Sequence, residues 1–334
     1  MSKWIFLTGG SGYIGSHVAA QIKTLTDYSV MLIDRRSNML PHTTRFCDVF
    51  ADEDFASHVV VQAMRDYQPE MVIHLAADST IGPGILAPFD TWDNNVIKTL
   101  QMLRACSMHG IKKVIFASSS SVYADLDDAV SENSPCAPCN PYARTKFAIE
   151  HALQDCYTAF GISSMSLRFF NVAGAHNRYD LGELHGSSHL LARIMESAVH
   201  GTPLQVFGRD WPTPDGTAIR DYIHVMDVVD AIMRSINWLE HNTGARMVNL
   251  GSGNGVSVQS MIDTTEMLLN KELPYLYAPR RPGDSAKRFS DNRLAYQLLG
   301  WKPSMTLPDM IRDSYKWYNC DTYKNLTSKG IHHE

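Results

Sequence analysis

The 334-residue sequence lacks the marks of several protein classes. No apolar run approaches the length of a membrane-spanning helix, so a chain built on such helices is excluded. No block of lysine or arginine stands out. The 30 basic and 35 acidic residues leave a net charge of −5, so no nucleic-acid partner is expected. Cysteine is sparse: Cys47, Cys106, Cys136, Cys139, Cys156 and Cys320 show no disulfide framework. Cys136-x-x-Cys139 has metal-ligand spacing, but no second pair lies near it and Ser134 to Pro141 reads as a proline-rich loop. No metal is therefore expected. Repeats and low-complexity segments are absent. The first apolar run starts at Trp4, so no signal peptide is expected, and the expected setting is cytoplasmic. What remains, 44% hydrophobic and 19% charged, is the composition of a soluble enzyme with room for two domains.

The chain is organised around Thr8-Gly-Gly-Ser-Gly-Tyr-Ile-Gly-Ser-His17. Trp4 to Leu7 reads as a buried strand before it, and Val18 to Ile22 has helical character after it. Gly10-x-Gly12-x-x-Gly15 thus sits at a strand-to-helix turn, where a dinucleotide fingerprint needs glycine for the turn, the approach to pyrophosphate and helix packing. The helix N-terminus adds free N–H groups and a partial positive charge. A second run, Ser29 to Ile33, ends at Asp34, about 20 residues on, where a ribose-binding acid is expected. Arg35 and Arg36 follow and would suit a 2′-phosphate, but Asp34 would repel one. The cofactor expected is NAD.

Strand-like runs at Met71–Leu75, Lys113–Ala117 and Ser164–Phe170 alternate with helical stretches at Thr91–Met108 and Tyr142–Phe160. In the first of these helices Trp92, Val96, Leu100 and Leu103 share one face. The alternation predicts an α/β fold: a Rossmann-type, doubly wound parallel sheet. Gly10 to Gly15, Asp34, Asp48–Val49, Ala76–Ala77, Ser118–Ser121 and Asn171 are placed at carboxyl ends of strands, where such sheets bind ligands. After Asn171 the texture changes. A helix at Leu190–Val199, a short strand at Thr202–Phe207 and two or three helices after Leu250 predict a smaller mixed α/β substrate domain, while the helix at Asp227–Leu239 and the strand at Met247–Leu250 fall about where the chain crosses back to the first. The expected division is 1–176 plus about 221–248 for NAD, and 177–220 plus about 249–334 for the substrate. The polar tail from Thr322 is expected to fray.

Tyr142-x-x-x-Lys146 is the reactive candidate. Residues four apart share a helix face. A phenol titrates near ~10, so serving as a base at neutral pH needs about 4 kcal/mol of help over ~3 units from neighbouring positive charge. The pair alone, common by chance, reads rather as an ordinary surface Tyr/Lys pair on a helix. The serine cluster Ser118–Ser121, about 20 residues earlier at a strand end, supplies a hydroxyl to relay a proton. Fingerprint, serines and Tyr/Lys pair together read as an alcohol–ketone redox site.

At these residues the sequence resembles the extended short-chain dehydrogenase/reductase family, and within it the UDP-glucose (UDP-galactose) 4-epimerases. The resemblance runs from Ile5 to about Trp317. Its carriers are the fingerprint, Asp93-Asn-Asn-Val96, Tyr142-x-x-x-Lys146, Arg168-Phe-Phe-Asn171 with Gly174-Ala-His176, Asp215 to Asp227, Asn249-Leu-Gly-Ser-Gly253 and Ala278-Pro-Arg-Arg-Pro-Gly-Asp284. Dehydratase relatives carry an acidic pair near Ser119–Ser120, absent here. The resemblance implies a 4-epimerase with tightly held NAD. Tyr142 takes the C4 hydroxyl proton with Ser119 bridging, Lys146 holds the nicotinamide ribose and tunes Tyr142, and the 4-keto sugar turns over before hydride returns. It implies cofactor contacts at Gly9, Gly12, Tyr13, Ile14, Gly15, Asp34, Asp48, Val49, Leu75, Ala76, Ala77, Asn94, Ser118 and Phe170, besides Tyr142 and Lys146. UDP would be gripped by Asn171, Leu204, Phe207, Arg220, Arg281 and Asp284; inter-domain ion pairing is the other reading of Arg220 and Arg281. It also implies a homodimer through helices Thr91–Met108 and Tyr142–Phe160.

Four positions depart from the family pattern. Ala76-Ala-Asp-Ser79 lacks a usual lysine, Phe169-Phe-Asn-Val172 replaces Tyr-Phe-Asn-Pro, and His189 stands for a substrate-contacting asparagine. Arg288 stands in the sugar pocket for a tyrosine or smaller residue. It would exclude an N-acetyl group, recognise a charged sugar, or face solvent. The substrate therefore stays open among UDP-glucose, UDP-N-acetylhexosamines and UDP-uronic acids. A non-catalytic NAD sensor is the reading from another class. His176, His185 and His189 are read as loop and pocket residues, not ligands.

Overall fold

The computed structural model describes residues 3–35, 43–79, 84, 86–126, 128–176, 178–184, 186–281 and 284–329. Arg36, His185, Pro282 and Gly283, singled out above, lie outside them.

Seven strands form a parallel sheet: β1 (Trp4–Thr8), β2 (Ser29–Asp34), β3 (Val49–Asp52), β4 (Met71–His74), β5 (Lys113–Ser119), β6 (Ser163–Phe169) and β10 (Ala245–Leu250). Their order is β10-β6-β5-β4-β1-β2-β3. The winding reverses between β1 and β4, and the crevice at their carboxyl ends is where such a sheet takes a ligand. Strand residues alternate faces, and the sequence uses both. Ile5, Leu7, Val30, Leu32, Met71, Ile73 and Ile115 enter one core with α1 (Tyr13–Leu25) and α7 (Val225–His241). Phe6, Met31, Val72, Val114 and Phe116 enter the other, with α2 (His58–Tyr67), α4 (Lys98–Met108) and α5 (Pro141–Phe160). Sheets buried on both faces read as continuous apolar runs, which is why β1 and β2 were easy to see.

A second sheet has β9 (Ile219–His224) at its centre, with β7 (Asn171–Ala173), β11 (Gly255–Ser257) and β13 (Lys287–Arg288). β8 (Leu204–Phe207) pairs in parallel with β12 (Tyr275–Ala278). A third core joins α6 (Leu190–His200), α8 (Val258–Leu269) and α10 (Leu307–Asn319). Ala295 and Leu299 of α9 (Arg293–Leu299), with Trp301, join the first core.

Two expectations are corrected. The stretch Thr91–Met108 is not one α-helix: α3 (Pro88–Trp92) passes through a π turn at Asp93–Ile97 into α4. A π turn rotates the downstream face. Leu100 consequently faces outward, while Asn95, Thr99, Met102 and Leu103 are buried; Trp92, before the turn, is also exposed. The tail does not fray at Thr322. Asp321–Ser328 is a helix, α11, whose Tyr323 and Leu326 are buried in the third core.

Candidate active site

The glycine turn is built for close approach. Gly9 has φ +68, and a Cβ there would stand 2.6 Å from Ala76 N. At Gly15 a Cβ would meet Gly9 O at 2.1 Å, so the third glycine lets α1 sit against the turn. Gly12, which caps α1 without a side chain, has only Gly9 O near its missing Cβ, at 3.3 Å, which leaves the helix N-terminus open to an anion. Asp34 ends β2 in this turn, its carboxylate accepting from Ser11 N (2.8 Å) and Arg35 N (2.9 Å). Leu75 and Ala76 bond back to Thr8 at the end of β4. The residues present therefore fit a dinucleotide: an open helix N-terminus for its pyrophosphate and an oriented acid for a ribose.

Asp48 and Val49 do not belong here. β3 begins at Val49, level with Met31, so both lie at the amino end of the strand, away from the crevice. Asp48 accepts from Lys23 and from Val30 N, each at 2.8 Å. The residue level with Asp34 is Asp52. Locating it needed the register of β3, a four-residue strand with only partly buried side chains and hence a weak pattern. Other expected contacts are made differently. The Tyr13 hydroxyl donates to Gly174 O (2.6 Å). Ser118 Oγ is buried and donates to Glu150 Oε1 (2.6 Å), so its side chain points into the protein. The Phe170 ring lies in a small core with Val122, Tyr123 and Val130. Asn94 bonds its neighbour Asn95.

Asn95 was missed. Buried in the π turn, it accepts from Asp78 N (2.8 Å) and donates to Asp78 O (2.9 Å) and Thr145 Oγ1 (3.2 Å). It ties the end of β4 to α5. That helix starts by rule: Asn140 caps Ala143 N (2.8 Å) and Pro141 opens the first turn. The first turn presents Tyr142 and the second Lys146, facing the end of β5. There Ser119 caps a short 3₁₀ turn and accepts from Ser121 Oγ (2.9 Å). Lys146 Nζ donates to Ala117 O (2.7 Å) and lies 4.9 Å from the Phe116 ring and 5.7 Å from the Tyr142 ring. Ser119, Tyr142 and Lys146 are thus brought together.

Its electrostatics differ from expectation. Burial pushes the Tyr142 phenol up to about 12; the Ser119 hydroxyl pulls it down and Asp78 pushes it up. Burial also brings Lys146 down to about 7, against the upward pull of Glu150. The surrounding residues hold a neutral phenol beside an ammonium of lowered pKa.

The arginines sit on the smaller sheet. Arg220 and Arg288 are register partners on β9 and β13. Arg220 Nη2 lies 3.9 Å from Asp284 Oδ1, and the Arg281 guanidinium is 3.8 Å from the Phe207 ring centroid. Buried Asp221 secures this sheet, accepting from Ser252, Gly253 and Ser290 at 2.6–3.0 Å. Asn171 Nδ2 donates to Asp221 O (2.8 Å). Leu204 is buried in the third core. Arg288 is partly buried; burial and then Arg220 lower its pKa, with Asp125, Cys139 and Asp284 on the other side. Among the described residues its guanidinium has no hydrogen-bond or ion-pair partner. His189 Nδ1 meets Glu183 Oε1 at 2.5 Å, and that carboxylate raises its pKa. The described residues contain no cluster of three or more metal-ligating groups and no helix long and apolar enough to cross a membrane.

The family model for the NAD dependent epimerase/dehydratase family matches residues 5–251. The chain belongs to the NAD dependent epimerase/dehydratase family. Within it, the chain is 34% identical to a UDP-glucose 4-epimerase of Bacillus subtilis, over 96% of this chain and 99% of that one. Two solved structures share the fold. The UDP-glucose-4-epimerase from Stenotrophomonas maltophila, with bound NAD and formylated UDP-arabinopyranose, has a TM-score of 0.91 at 33% identity, covering 98% of this chain and 99% of that one. The enzyme from Brucella ovis, in complex with NAD, has a TM-score of 0.90 at 34% identity, covering 94% and 98%. The likeness to epimerases read from the motifs therefore holds along nearly the whole chain, and the parallel sheet with a smaller appended sheet is the architecture of the family.

Proposed function

We propose that this family member is an isomerase that interconverts UDP-glucose and UDP-galactose at C4, with NAD as resident cofactor. The observation that carries this is the meeting of Ser119, Tyr142 and Lys146 at the carboxyl end of β5, beside the glycine turn. NAD would rest on the N–H groups at Gly12–Gly15, on Asp34 and Asp52, along Leu75–Ala77 and Asn94, and against Lys146. When bound, it supplies a reversible hydride acceptor and a positive ring. Tyr142 removes the C4 hydroxyl proton and returns it, Ser119 bridges phenol and sugar oxygen, and Lys146 holds the nicotinamide ribose and stabilises the phenolate. Arg220 and Arg281, with Asn171, Phe207 and Asp284, grip UDP, since planar guanidinium forks suit phosphate oxygens. A firm nucleotide anchor leaves the sugar free to present either face. The body around the seven-stranded sheet would hold the cofactor and the smaller sheets the UDP-sugar.

Exposed Phe89, Trp92, Ile97 and Leu100 on the α3–α4 stretch, with Tyr157 and Phe160 on α5, support a homodimer through these helices. Six free thiols support a reducing, cytoplasmic setting.

The test is turnover of UDP-glucose, UDP-GlcNAc and UDP-glucuronate by purified protein without added cofactor. Conversion of UDP-glucose is expected; no turnover by an NAD-loaded protein would overturn the proposal and favour a sensor. One observation favours a second substrate. The unpartnered Arg288 guanidinium beside Arg220 suits a sugar with an acidic group, such as a uronic acid, and preferential turnover of UDP-glucuronate would move the assignment there.

A further inference from the structure

Behind the catalytic trio lies a buried ion pair that the proposed chemistry does not use. Glu150, one turn beyond Lys146 on α5, and Arg168, on β6, are each 2% exposed. Glu150 Oε1 accepts from Ser118 Oγ (2.6 Å) and Arg168 Nε (2.9 Å), and Oε2 from Arg168 Nη2 (2.7 Å). Arg168 Nη1 donates to the Tyr123 hydroxyl (2.8 Å), which donates to Asn249 Oδ1 (2.6 Å) on β10. Asn249 in turn donates to Val130 O (2.8 Å) and, through its main chain, to Glu132 Oε1 (2.7 Å). One carboxylate thus links the helix that carries Tyr142 and Lys146, the strand end that carries Ser119, and the two strands beyond.

A buried pair of this kind adds little net stability compared with apolar packing, so its presence asks for another reason. We propose that Glu150 is a positioning residue for the proton-transfer site: it fixes α5 against the end of β5 and, through its negative charge, keeps Lys146 an ammonium. Four elements bring groups to bear on that charge. On α5 Lys146 has Tyr142 on one side and Glu150 on the other. From β5 come the Ala117 carbonyl, the Phe116 ring and the Ser119 hydroxyl. From β4 comes His74, which burial lowers to about 3 and so holds neutral, and beyond it Asp78, which acts on Tyr142. From β6 comes Arg168, on the far side of Glu150. Among these, Glu150 is the anion that acts on the lysine, and Arg168 is that anion's ion-pair partner.

The inference rests on the role proposed for Lys146, and its test does not depend on the substrate. The Lys146 side chain is titrated by NMR in protein purified with its cofactor and carrying labelled lysine, the signal being assigned by its loss in Lys146→Met. Glu150→Gln removes the anion and leaves Arg168 uncompensated, so the lysine should titrate about one unit lower. Arg168→Gln breaks the same pair but leaves the anion, so the lysine should titrate higher. Glu150→Asp keeps the charge and should stay near the parent value, which covers the case that Glu150→Gln does not fold. Opposite shifts support the proposal. No shift, or the same sign in both variants, overturns it, because a pair that only holds the fold has no reason to act with opposite signs. If epimerisation is observed, its alkaline limb should move with the lysine while KM stays put. Opposite shifts in a protein that turns over no UDP-sugar would sink the proposed function and leave the positioning role standing.

Discussion

Lys146 and Arg168 beside the seven-stranded sheet, and Arg220, Arg281 and Arg288 on the smaller sheets, carry the same charge in opposite settings. The first two are almost fully buried and are held by bonds of 2.7–2.9 Å to Ala117 O, Glu150 and the Tyr123 hydroxyl. The other three lie on strands of two to six residues or in a loop, partly or fully open, with one hydrogen bond, from Arg220 Nη1 to Ile219 O (2.9 Å), and one loose ion pair at 3.9 Å. The buried cations are satisfied by the protein itself. The open ones have phosphate-binding capacity left over. Fixed groups suit proton transfer, which needs a set geometry, whereas unsatisfied groups suit a ligand that brings its own charge.

The comparison breaks most sharply at Tyr142. Tyr142→Phe should lower kcat by about a hundredfold to ten-thousandfold, the span of general-base catalysis, with unchanged circular dichroism and bound NAD. A fully active variant would remove the fixed half from the chemistry. On the open side, Arg220→Ala should raise KM for the UDP-sugar and leave kcat closer to the parent. A charge-assisted hydrogen bond is worth about 1.5–3 kcal/mol, or roughly ten- to a hundredfold in affinity. A fall in kcat at constant KM would show that the open arginines act in the transition state instead.

The same division decided what the sequence made legible. The seven-stranded sheet could be read because β1, β2 and β4 are continuous apolar runs, the first two closed at their carboxyl ends by glycine or acid. The trio could be read because a four-residue spacing on a well-capped helix leaves little freedom. What failed depended on register or local rotation. A short, half-exposed β3 left Asp48 read in place of Asp52, the residue level with Asp34, and a π turn moved Leu100 away from the face of Leu103. Asn95 stood inside the Asp93-Asn-Asn-Val96 motif with nothing to separate it from Asn94, and Glu150 left no signal, because a polar residue on a buried face looks like any other until its partners are known. The phenol was expected to be lowered by Lys146 together with a nicotinamide cation; among the protein's own groups burial is the largest influence and raises it.

Buried histidines give the fixed half a pH dependence of its own. Burial brings His17 and His74 down to about 3, and His176 to about 4. Their folded values lie below the unfolded value near ~6.5, so the unfolded chain takes up protons that the native one refuses. Their contribution is complete above ~6.5 and is lost as pH falls toward the folded values. Each of the two fully buried rings removes about 1.4 kcal/mol per pH unit in that window. The urea midpoint should therefore drop between pH 7 and pH 5.5, and a midpoint that holds would mean the rings are protonated in the native state.

The smallest effect expected is also the one that sharpens the comparison most. Arg288→Tyr removes a partly buried, unpartnered cation without touching the trio or the fixed ion pair. Loss of a charge that burial and Arg220 both disfavour should leave stability level or slightly raised, and kcat for UDP-glucose within a few fold. Its effect should fall on selectivity: any turnover of UDP-glucuronate should drop relative to UDP-glucose, while UDP-GlcNAc gains if the arginine also limits space. The ratio of kcat/KM values across the three sugars reads this directly. An unchanged ratio would place Arg288 outside sugar recognition and confine the open half's function to holding UDP through Arg220 and Arg281.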